Sequence, residues 1–419
     1  MPLDFDPCDH GDHDDPYPYY RMLRDEAPVY VSPSTGVLCV SRYEDALRVL
    51  KDSETFSSSA MRTFLMNGGM AEKPPFNWQA IRMIFGILIR GINPFSLQSG
   101  RSLIAEDGAA HSEMRNVVNR GFTPRQIQRW ETRAREIVAI SMKKLDRGEP
   151  FDLVRDLSIP LPVGLICEIL GIEVERREEF KGWSDIIVDL ATGPGRNNPF
   201  RPEVVDAFLG ITGYFTRLAR RRRKRPENDL ISTIVQGRPG ETALSTKDAV
   251  NFVILLLVAG NETTTNLIGN ATLALLDHPD QVERAARDPE LVPAIVEEAL
   301  RYDPPIQLLF RDAVRDTEIA GTKIPKGSIV APLIGSANRD ERRFENPDRF
   351  DITRSAQGHL GLGFGSHFCL GSSLARLETR IALEALIPRL GALERANPPG
   401  RIDSFLIRGP SKLELETAA

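Results

Sequence analysis

A long helical pattern in the middle of the chain places the strongest constraint on the fold. The pattern begins in LSTKDAV, where Ser245 and Asp248 have the spacing of a capping box, and it stops before His278. Its apolar stretch FVILLLVAG (252–260) predicts a central, largely buried helix. Yet the middle of this helix, AGNETTTN (259–266), combines residues of low helix propensity with Asn and Glu side chains that are costly to bury. These residues therefore indicate a role other than helix stability.

The remaining periodicities predict a mainly α fold with small β-sheets. Apolar residues recur at three- and four-residue spacing in DPYPYYRMLRDEA, SRYEDALRVLKD, RQIQRWETRAREIVAISMKKLD and SLARLETRIALEALIPRL, whereas APVYVS, GVLCVS and SIVAPLIG have the pattern of short strands. The sequence shows no repeat, no low-complexity linker and no break in composition. We therefore expect a single domain over residues 1–419.

Charge and targeting signals exclude several classes of function. The chain has 53 Lys and Arg residues against 58 Asp and Glu residues, a net charge of −5 that argues against nucleic acid as a partner. The acidic N-terminus lacks the order of a signal peptide, and the longest apolar run is shorter than the roughly 18 residues of a membrane span. We expect a cytoplasmic protein with no membrane partner.

The four cysteines, Cys8, Cys39, Cys167 and Cys369, are scattered without CxxC spacing, which argues against a disulfide framework or a zinc knuckle. His367 and Cys369 are two potential metal ligands, but no nearby Cys or His completes a four-ligand set. Cys369 is therefore expected to act alone.

Two further stretches allow more than one interpretation. The basic run RLARRRRKR (217–225) fits either an anion or membrane surface site or, more simply, the solvated end of a helix. The apolar segment from Ser58 to Glu106 fits either a buried helix or the flexible wall of a lipophilic pocket.

The stretch HLGLGFGSHFCLG (359–371) concentrates glycines around one cysteine. Because Cys369 comes just before a helical pattern, backbone N–H groups at the helix N-terminus would favour its thiolate, which ligates soft metals. Gly363 and Gly371 would allow tight turns and let a flat ligand lie against the backbone.

This stretch resembles the haem-binding loop of the cytochrome P-450 family, the haem-thiolate monooxygenases. The resemblance implies the cytochrome P-450 fold and haem b as the cofactor, with Cys369 as the axial ligand of the iron. His359 and His367 fall where bacterial members have them. Where the family usually has Phe, seven residues before the cysteine, this chain has Leu362, a change that bears on the redox potential.

The helix centre AGNETT resembles the acid–alcohol pair of the same family, here Glu262 and Thr263. Oxygen activation in a pocket that excludes water needs protons, which a hydroxyl and a carboxylate deliver. The simpler alternative is a threonine bonded back to its own helix.

Two sets of charged residues complete the resemblance. EEALRYDPP and the later PDRFD imply a buried structural network of Glu298, Arg301 and Arg349 that fixes the cysteine loop. The haem propionates would be held by His111, Arg115, Arg311 and His359.

The resemblance, which runs from about Asp15 to Leu415, implies insertion of one atom of O₂ into an apolar molecule such as a terpenoid, steroid or fatty-acid-like compound. Electrons would come from NAD(P)H through a separate ferredoxin and ferredoxin reductase, with Arg120, Arg125, Arg376 and Arg380 steering the acidic partner. We expect a monomer. The expected pocket residues are Val258, Ala259, Ile306, Leu308, Leu309, Phe405 and Leu406. The alternatives are a peroxide-dependent peroxygenase or haem-thiolate isomerase, and a non-enzymatic haem-thiolate gas sensor.

Overall fold

A computed structural model describes residues 5–8, 15–62, 101–193, 201–237 and 243–418. Most of the apolar segment from Ser58 to Glu106 therefore lies outside the described residues.

Helices account for most of the described chain. In chain order they are α1 (Tyr17–Glu26), α2 (Tyr43–Lys51), α3 (Gly108–Val118), α4 (Pro124–Gln128), α5 (Glu131–Asp146), α6 (Pro160–Ile169), α7 (Arg177–Thr192), α8 (Pro202–Lys224), α9 (Leu230–Gln236), α10 (Thr246–Leu276), α11 (Pro279–Arg287), α12 (Val292–Tyr302), α13 (Ile334–Ala337) and α14 (Ser372–Leu390).

The strands are short. They are β1 (Val29–Val31), β2 (Leu38–Val40), β3 (Phe56–Ser57), β4 (Phe151–Asp152), β5 (Arg311–Ala313), β6 (Thr317–Ile319), β7 (Thr322–Ile324), β8 (Ile329–Pro332), β9 (Leu393–Arg395), β10 (Gly400–Arg401), β11 (Pro410–Lys412) and β12 (Glu414–Thr417). The mainly α fold with small sheets is confirmed.

The chain divides into two compact units. The first comprises residues 1–57, 124–165 and 262–419, and the second comprises residues 58–123 and 166–261.

The first unit contains a five-stranded sheet of order β1-β2-β8-β5-β3, in which β2 pairs parallel with β8 and the other pairs are antiparallel. A three-stranded sheet β4-β12-β9 and the pairs β6-β7 and β10-β11 accompany it. Apolar side chains of the large sheet, among them Val40, Phe56 and Val330, form one buried cluster. A second cluster joins α2 and α13 through residues such as Tyr43 and Ile334.

The second unit is helical where the structure describes it. Helices α7 and α8 meet through an aromatic cluster in which the rings of Phe180 on α7 and Tyr214 on α8 lie 5.0 Å apart. The basic run 217–225 forms the largely exposed end of α8, as the helix-end interpretation predicts. Among the basic residues of the run, Arg222 is the exception, because it is buried and pairs with Asp229.

Helix α10 is the long helix that the sequence predicts. The Ser245 hydroxyl accepts a hydrogen bond from the backbone N–H of Asp248 at 3.1 Å, which is one half of a capping box. The Asp248 carboxylate does not complete the box, because it accepts from the backbone N–H of Arg101 at 2.9 Å instead.

Helix α10 is also long and apolar enough to cross a membrane by length and composition, with a mean hydropathy of 1.3 over its best window. However, 61% of that window is buried inside the protein, as expected of a core helix.

Candidate functional site

The loop that carries Cys369 is held by its own backbone. Gly363 and Gly365 have φ angles of 71° and 72°, which lie in the left-handed region that favours glycine. The backbone N–H of Cys369 donates to the carbonyl of Leu362 at 2.9 Å, so the chain folds back on itself before α14 begins at Ser372. This turn places the half-buried Cys369 at the entrance of α14.

The protein packs tightly against part of this loop and leaves another part open. A Cβ atom at Gly361 would lie 2.3 Å from the carbonyl oxygen of Leu300, and one at Gly365 would lie 3.0 Å from that of Leu50. In contrast, no atom of the described residues lies within 4 Å of a Cβ built at Gly371.

The apolar side chains around the cysteine differ in exposure. Leu362 is buried, whereas Phe364 and Phe368 are 39% and 38% exposed. An open glycine surface and exposed aromatic rings beside a thiol fit a flat, apolar group that carries a metal for the sulfur to ligate.

The buried pair of Glu298 and Arg301 forms as predicted. Both side chains have no solvent exposure, and Arg301 donates to the two carboxylate oxygens at 2.7 and 2.8 Å. Its remaining N–H groups donate to the backbone carbonyls of Asn338 at 3.0 Å, Pro347 at 2.8 Å and Arg349 at 3.2 Å. The pair therefore fixes two backbone segments that lead to the cysteine loop.

The prediction that the Arg349 side chain is the third member of this network is wrong. It is 63% exposed and lies 3.9 Å from Asp280. The chain turns at Asn346, where φ is 45°, and it directs the carbonyl of Arg349 rather than its side chain toward Arg301. Arg354 takes the predicted place, with its Nε 3.3 Å from Glu298.

The polar centre of α10 remains helical through Glu262 and Thr263, both half-buried. The next side chains are buried and bonded within the first unit. Thr265 donates to the carbonyl of Ser158 at 2.9 Å, and Asn266 donates to the carbonyl of Glu262 at 2.7 Å.

The glutamate Glu378 on α14 is a buried polar residue that the sequence reasoning missed. It is 1% exposed. Burial raises the pKa of its carboxyl to about 8, and the hydrogen bond with Thr264 lowers that pKa only in part. A neutral carboxylic acid therefore lies against the residue that follows Thr263. No periodic signal distinguishes this glutamate from the exposed ones on the same helix.

The four expected propionate donors have different surroundings. Arg311 is 3% exposed and donates to the carbonyl of Phe310 at 2.9 Å. His111 and Arg115 lie one turn apart on α3 of the second unit, where His111 is buried and Arg115 half-buried.

His359, the fourth expected donor, has partners within the first unit. Its Nε2 lies 3.2 Å from a carboxylate oxygen of Glu297, and its Nδ1 accepts from the backbone N–H of Gly361 at 3.1 Å. Both ring nitrogens therefore have protein partners, because the ring is turned toward α12.

Five of the expected pocket residues belong to the first unit, where two segments meet. Ile306 forms a β-bridge with Ile407. The backbone N–H of Gln307 donates to the carbonyl of Leu406 at 3.0 Å. Leu308, Phe405 and Leu406 are buried, while Ile306 and Leu309 are half-buried. The other two members, Val258 and Ala259, are half-buried and exposed respectively and lie on the part of α10 that belongs to the second unit.

Comparison with known proteins gives consistent matches. The family model described as Cytochrome P450 matches residues 203–415. The chain is 37% identical to the erythromycin C-12 hydroxylase of Saccharopolyspora erythraea. The alignment covers 91% of this chain and 89% of the hydroxylase. Among solved structures, cytochrome P450 CYP109Q5 from Chondromyces apiculatus is 36% identical, with a TM-score of 0.85 and coverage of 100% and 99% of the two chains. CYP109E1 from Bacillus megaterium in complex with corticosterone is 34% identical, with a TM-score of 0.81 and coverage of 98% and 100%.

Replacing Arg354 with Met tests the corrected network. The Arg354 side chain is 11% exposed and contacts the buried carboxylate of Glu298, so we expect a loss of about 2 kcal/mol in the free energy of unfolding. The matched control Arg349→Met removes a largely exposed side chain and should change stability by less than about 0.5 kcal/mol. Urea unfolding followed by circular dichroism measures both, and the reverse order would contradict the assignment.

Replacing Glu378 with Gln tests the neutral carboxyl. Its pKa is about 8 in the native protein against the ordinary 4.5, so the native state binds more protons between these values and wild-type stability falls as the pH rises. Glu378→Gln lacks this contribution, so its stability relative to wild type should rise between pH 5 and pH 8, by up to about 5 kcal/mol.

Denaturant unfolding at several pH values measures the difference between the two curves. In Thr264→Val, which lacks the hydrogen bond that favours the charged form, the fall in stability should extend to higher pH than in the wild type. Parallel curves for wild type and Glu378→Gln would show that Glu378 is already ionised.

Proposed function

The chain belongs to the cytochrome P450 family and is a monooxygenase, and from this premise we propose that it uses haem b, bound through Cys369, to oxygenate an apolar small molecule. The observation that carries the proposal is the glycine loop that presents Cys369 at the entrance of α14 beside an open backbone surface at Gly371. A member of this family uses a haem, and the residues around Cys369 fit one.

The residues proposed to hold the group have chemically distinct roles. Cys369 would ligate the iron as a thiolate, and Gly363 and Gly371 would keep side chains away from the flat ring. The buried guanidinium of Arg311 supports a role in binding a propionate, because a guanidinium matches the geometry of a carboxylate. His111 and Arg115 are proposed for the same role, and their spacing of one turn on α3 puts them on one helix face. When bound, the haem supplies the activation of O₂ and the oxidation of the substrate.

The protein itself would supply the protons. We assign the hydroxyl of Thr263 as the group that holds a proton next to the reacting oxygen, and the carboxylate of Glu262 as the group that replenishes it. Both side chains are half-buried, which is compatible with one end inside the protein and one reaching water. The fixed neighbours Thr265 and Asn266 keep this turn of α10 in place.

The substrate is proposed to be a terpenoid, a steroid or another apolar molecule of similar size. The expected lining residues are apolar: Ile306, Leu308, Leu309, Phe405, Leu406, Val258 and Ala259. Two similar proteins support this range, since one is named for erythromycin and the other binds corticosterone. Hydroxylation and epoxidation are both compatible with such a pocket.

The remaining parts of the proposal concern the context of the enzyme. We propose one catalytic domain that includes both units, a cytoplasmic monomer, and electrons delivered from NAD(P)H by a separate ferredoxin and its reductase. Arg376 and Arg380 support an acidic partner, because both are partly exposed near the start of α14.

The first test is the absorbance difference spectrum of the reduced holoprotein with carbon monoxide. A thiolate ligand should give a strongly red-shifted Soret band, and Cys369→Ser should abolish it. The matched control Cys167→Ala changes a buried cysteine on α6 and should keep the band. A band at the position of histidine ligation in the wild type would overturn the assignment of Cys369.

The second test concerns Thr263. Thr263→Ala should keep the spectrum but divert electrons from product to hydrogen peroxide, because the proton donor is lost. Thr263→Ser retains the hydroxyl and should restore most of the product formed per NAD(P)H consumed. Equal coupling in Thr263→Ala and wild type would remove Thr263 from the mechanism, and product from peroxide alone would favour the peroxygenase alternative.

A further inference from the structure

We propose that Glu297 is a positioning residue for Cys369. Glu297 holds the cysteine loop through His359 and balances the charge of Arg376 near the sulfur. The inference rests on the proposed function of Cys369 as the haem ligand. Glu297 directly precedes the network glutamate Glu298, and the sequence pattern gives no sign that Glu297 has a role of its own.

Glu297 connects two side chains from different parts of the first unit. Its carboxylate accepts a bidentate pair of hydrogen bonds from Arg376 of α14, with Nε at 2.6 Å and the second nitrogen at 2.9 Å. The second oxygen also lies 3.2 Å from Nε2 of His359, whose side chain is 5% exposed. Bidentate, charge-assisted pairs of this kind fix side chains in place.

The contact with His359 extends to the cysteine loop. Because Nδ1 of His359 accepts from the backbone N–H of Gly361, Nε2 carries the proton and donates to Glu297. Gly361 has no room to move toward α12, since even a Cβ atom there would lie 2.3 Å from the carbonyl of Leu300. The imidazole and α12 therefore hold the start of the loop from two directions.

The charges of the same residues act on the sulfur. The pKa of the Arg376 guanidinium is raised by its hydrogen bond to Glu297 and further by the nearby charges of Glu297 and Cys369. Arg376 lies on the first turns of α14, four residues or about 6 Å along the helix from its start at Ser372, where a positive charge favours a thiolate at Cys369. Burial would raise the pKa of Glu297, but hydrogen bonds from Arg376 and His359 outweigh burial and lower it to about 2. Glu297 therefore remains ionised at neutral pH and offsets part of the positive charge near the sulfur.

The pair is accessible from solvent. Arg376 and Glu297 are 37% and 34% exposed and line a cleft of about 330 Å³ together with a second ion pair, Arg380 with Glu131. An acidic partner that binds in this cleft would compete with Glu297 for Arg376, and the competition would be felt at the cysteine loop.

Two variants with opposite charge effects test the proposal in the holoenzyme. Glu297→Gln leaves the positive charge of Arg376 unbalanced near the sulfur, so the ferric/ferrous midpoint potential should rise. Arg376→Met removes that positive charge, so the potential should fall. The matched control Glu131→Gln alters the other ion pair of the cleft, in which Glu131 accepts from Arg380 and Arg135 rather than from His359, and should leave the potential unchanged.

Hydrogen exchange of the peptide that contains Gly361 gives a second readout. In Glu297→Gln a neutral amide replaces the carboxylate, so the hydrogen bond from His359 loses its charge assistance and exchange should accelerate about tenfold. Glu131→Gln should exchange like the wild type.

The outcomes separate this proposal from the proposed function. A red-shifted carbon monoxide band in all variants, with potentials that move in opposite directions, supports the role of Glu297. The same band with unchanged potentials overturns the role of Glu297. So do potentials that shift in the same direction in both variants, because mere loosening of the loop would move both potentials the same way. Absence of the red-shifted band in the wild type instead rejects Cys369 as the ligand.

Discussion

The bidentate ion pair between Arg301 and Glu298 is the interaction on which the rest of the first unit depends. Arg301 uses its remaining donors on backbone carbonyls, including that of Asn338, whose own side chain donates to the carbonyl of Leu300 and accepts from the N–H of Leu360. Leu360 stands at the start of the cysteine loop. The buried charge of Arg301 thus determines where a loop some sixty residues later in the chain can lie. This charge is tolerated because the guanidinium bonds to both oxygens of Glu298 and to three backbone carbonyls.

Three glutamates of α12 and α14 show how the surroundings decide the state of a carboxyl group. Glu298 has two arginines, and Glu297 has an arginine and a histidine, so both lie in positive surroundings. Glu378 has only a threonine hydroxyl to offset its burial, and its pKa rises to about 8. Glu298 is therefore a structural anion, Glu297 balances a nearby positive charge, and Glu378 is a neutral acid. Chemistry around Cys369 is set by these partners as much as by the glutamates themselves.

The sequence was sufficient for the features that depend on local pattern. The extent of α10 follows from apolar periodicity and a cap at Ser245. The buried pair of Glu298 and Arg301 is what the resemblance to the cytochrome P-450 family implies, because three-residue spacing alone fits an exposed pair equally well. Features that depend on backbone direction could not be predicted in this way. Whether Arg349 or Arg354 reaches Glu298 is decided by a turn at Asn346, and whether His359 faces a ligand or Glu297 is decided by the packing of its loop on α12.

The order of segments along the chain also has a consequence for synthesis on the ribosome. The second unit is complete at residue 261, whereas the first unit still lacks everything from residue 262 onward. Strand β2 must wait for β8, about 290 residues later, and β4 must wait for β12 near the C-terminus. Such distant pairings form slowly and leave strand edges exposed in the nascent chain. Because Cys369 also lies in this late segment, the loop around it forms only after the whole of the second unit has been made.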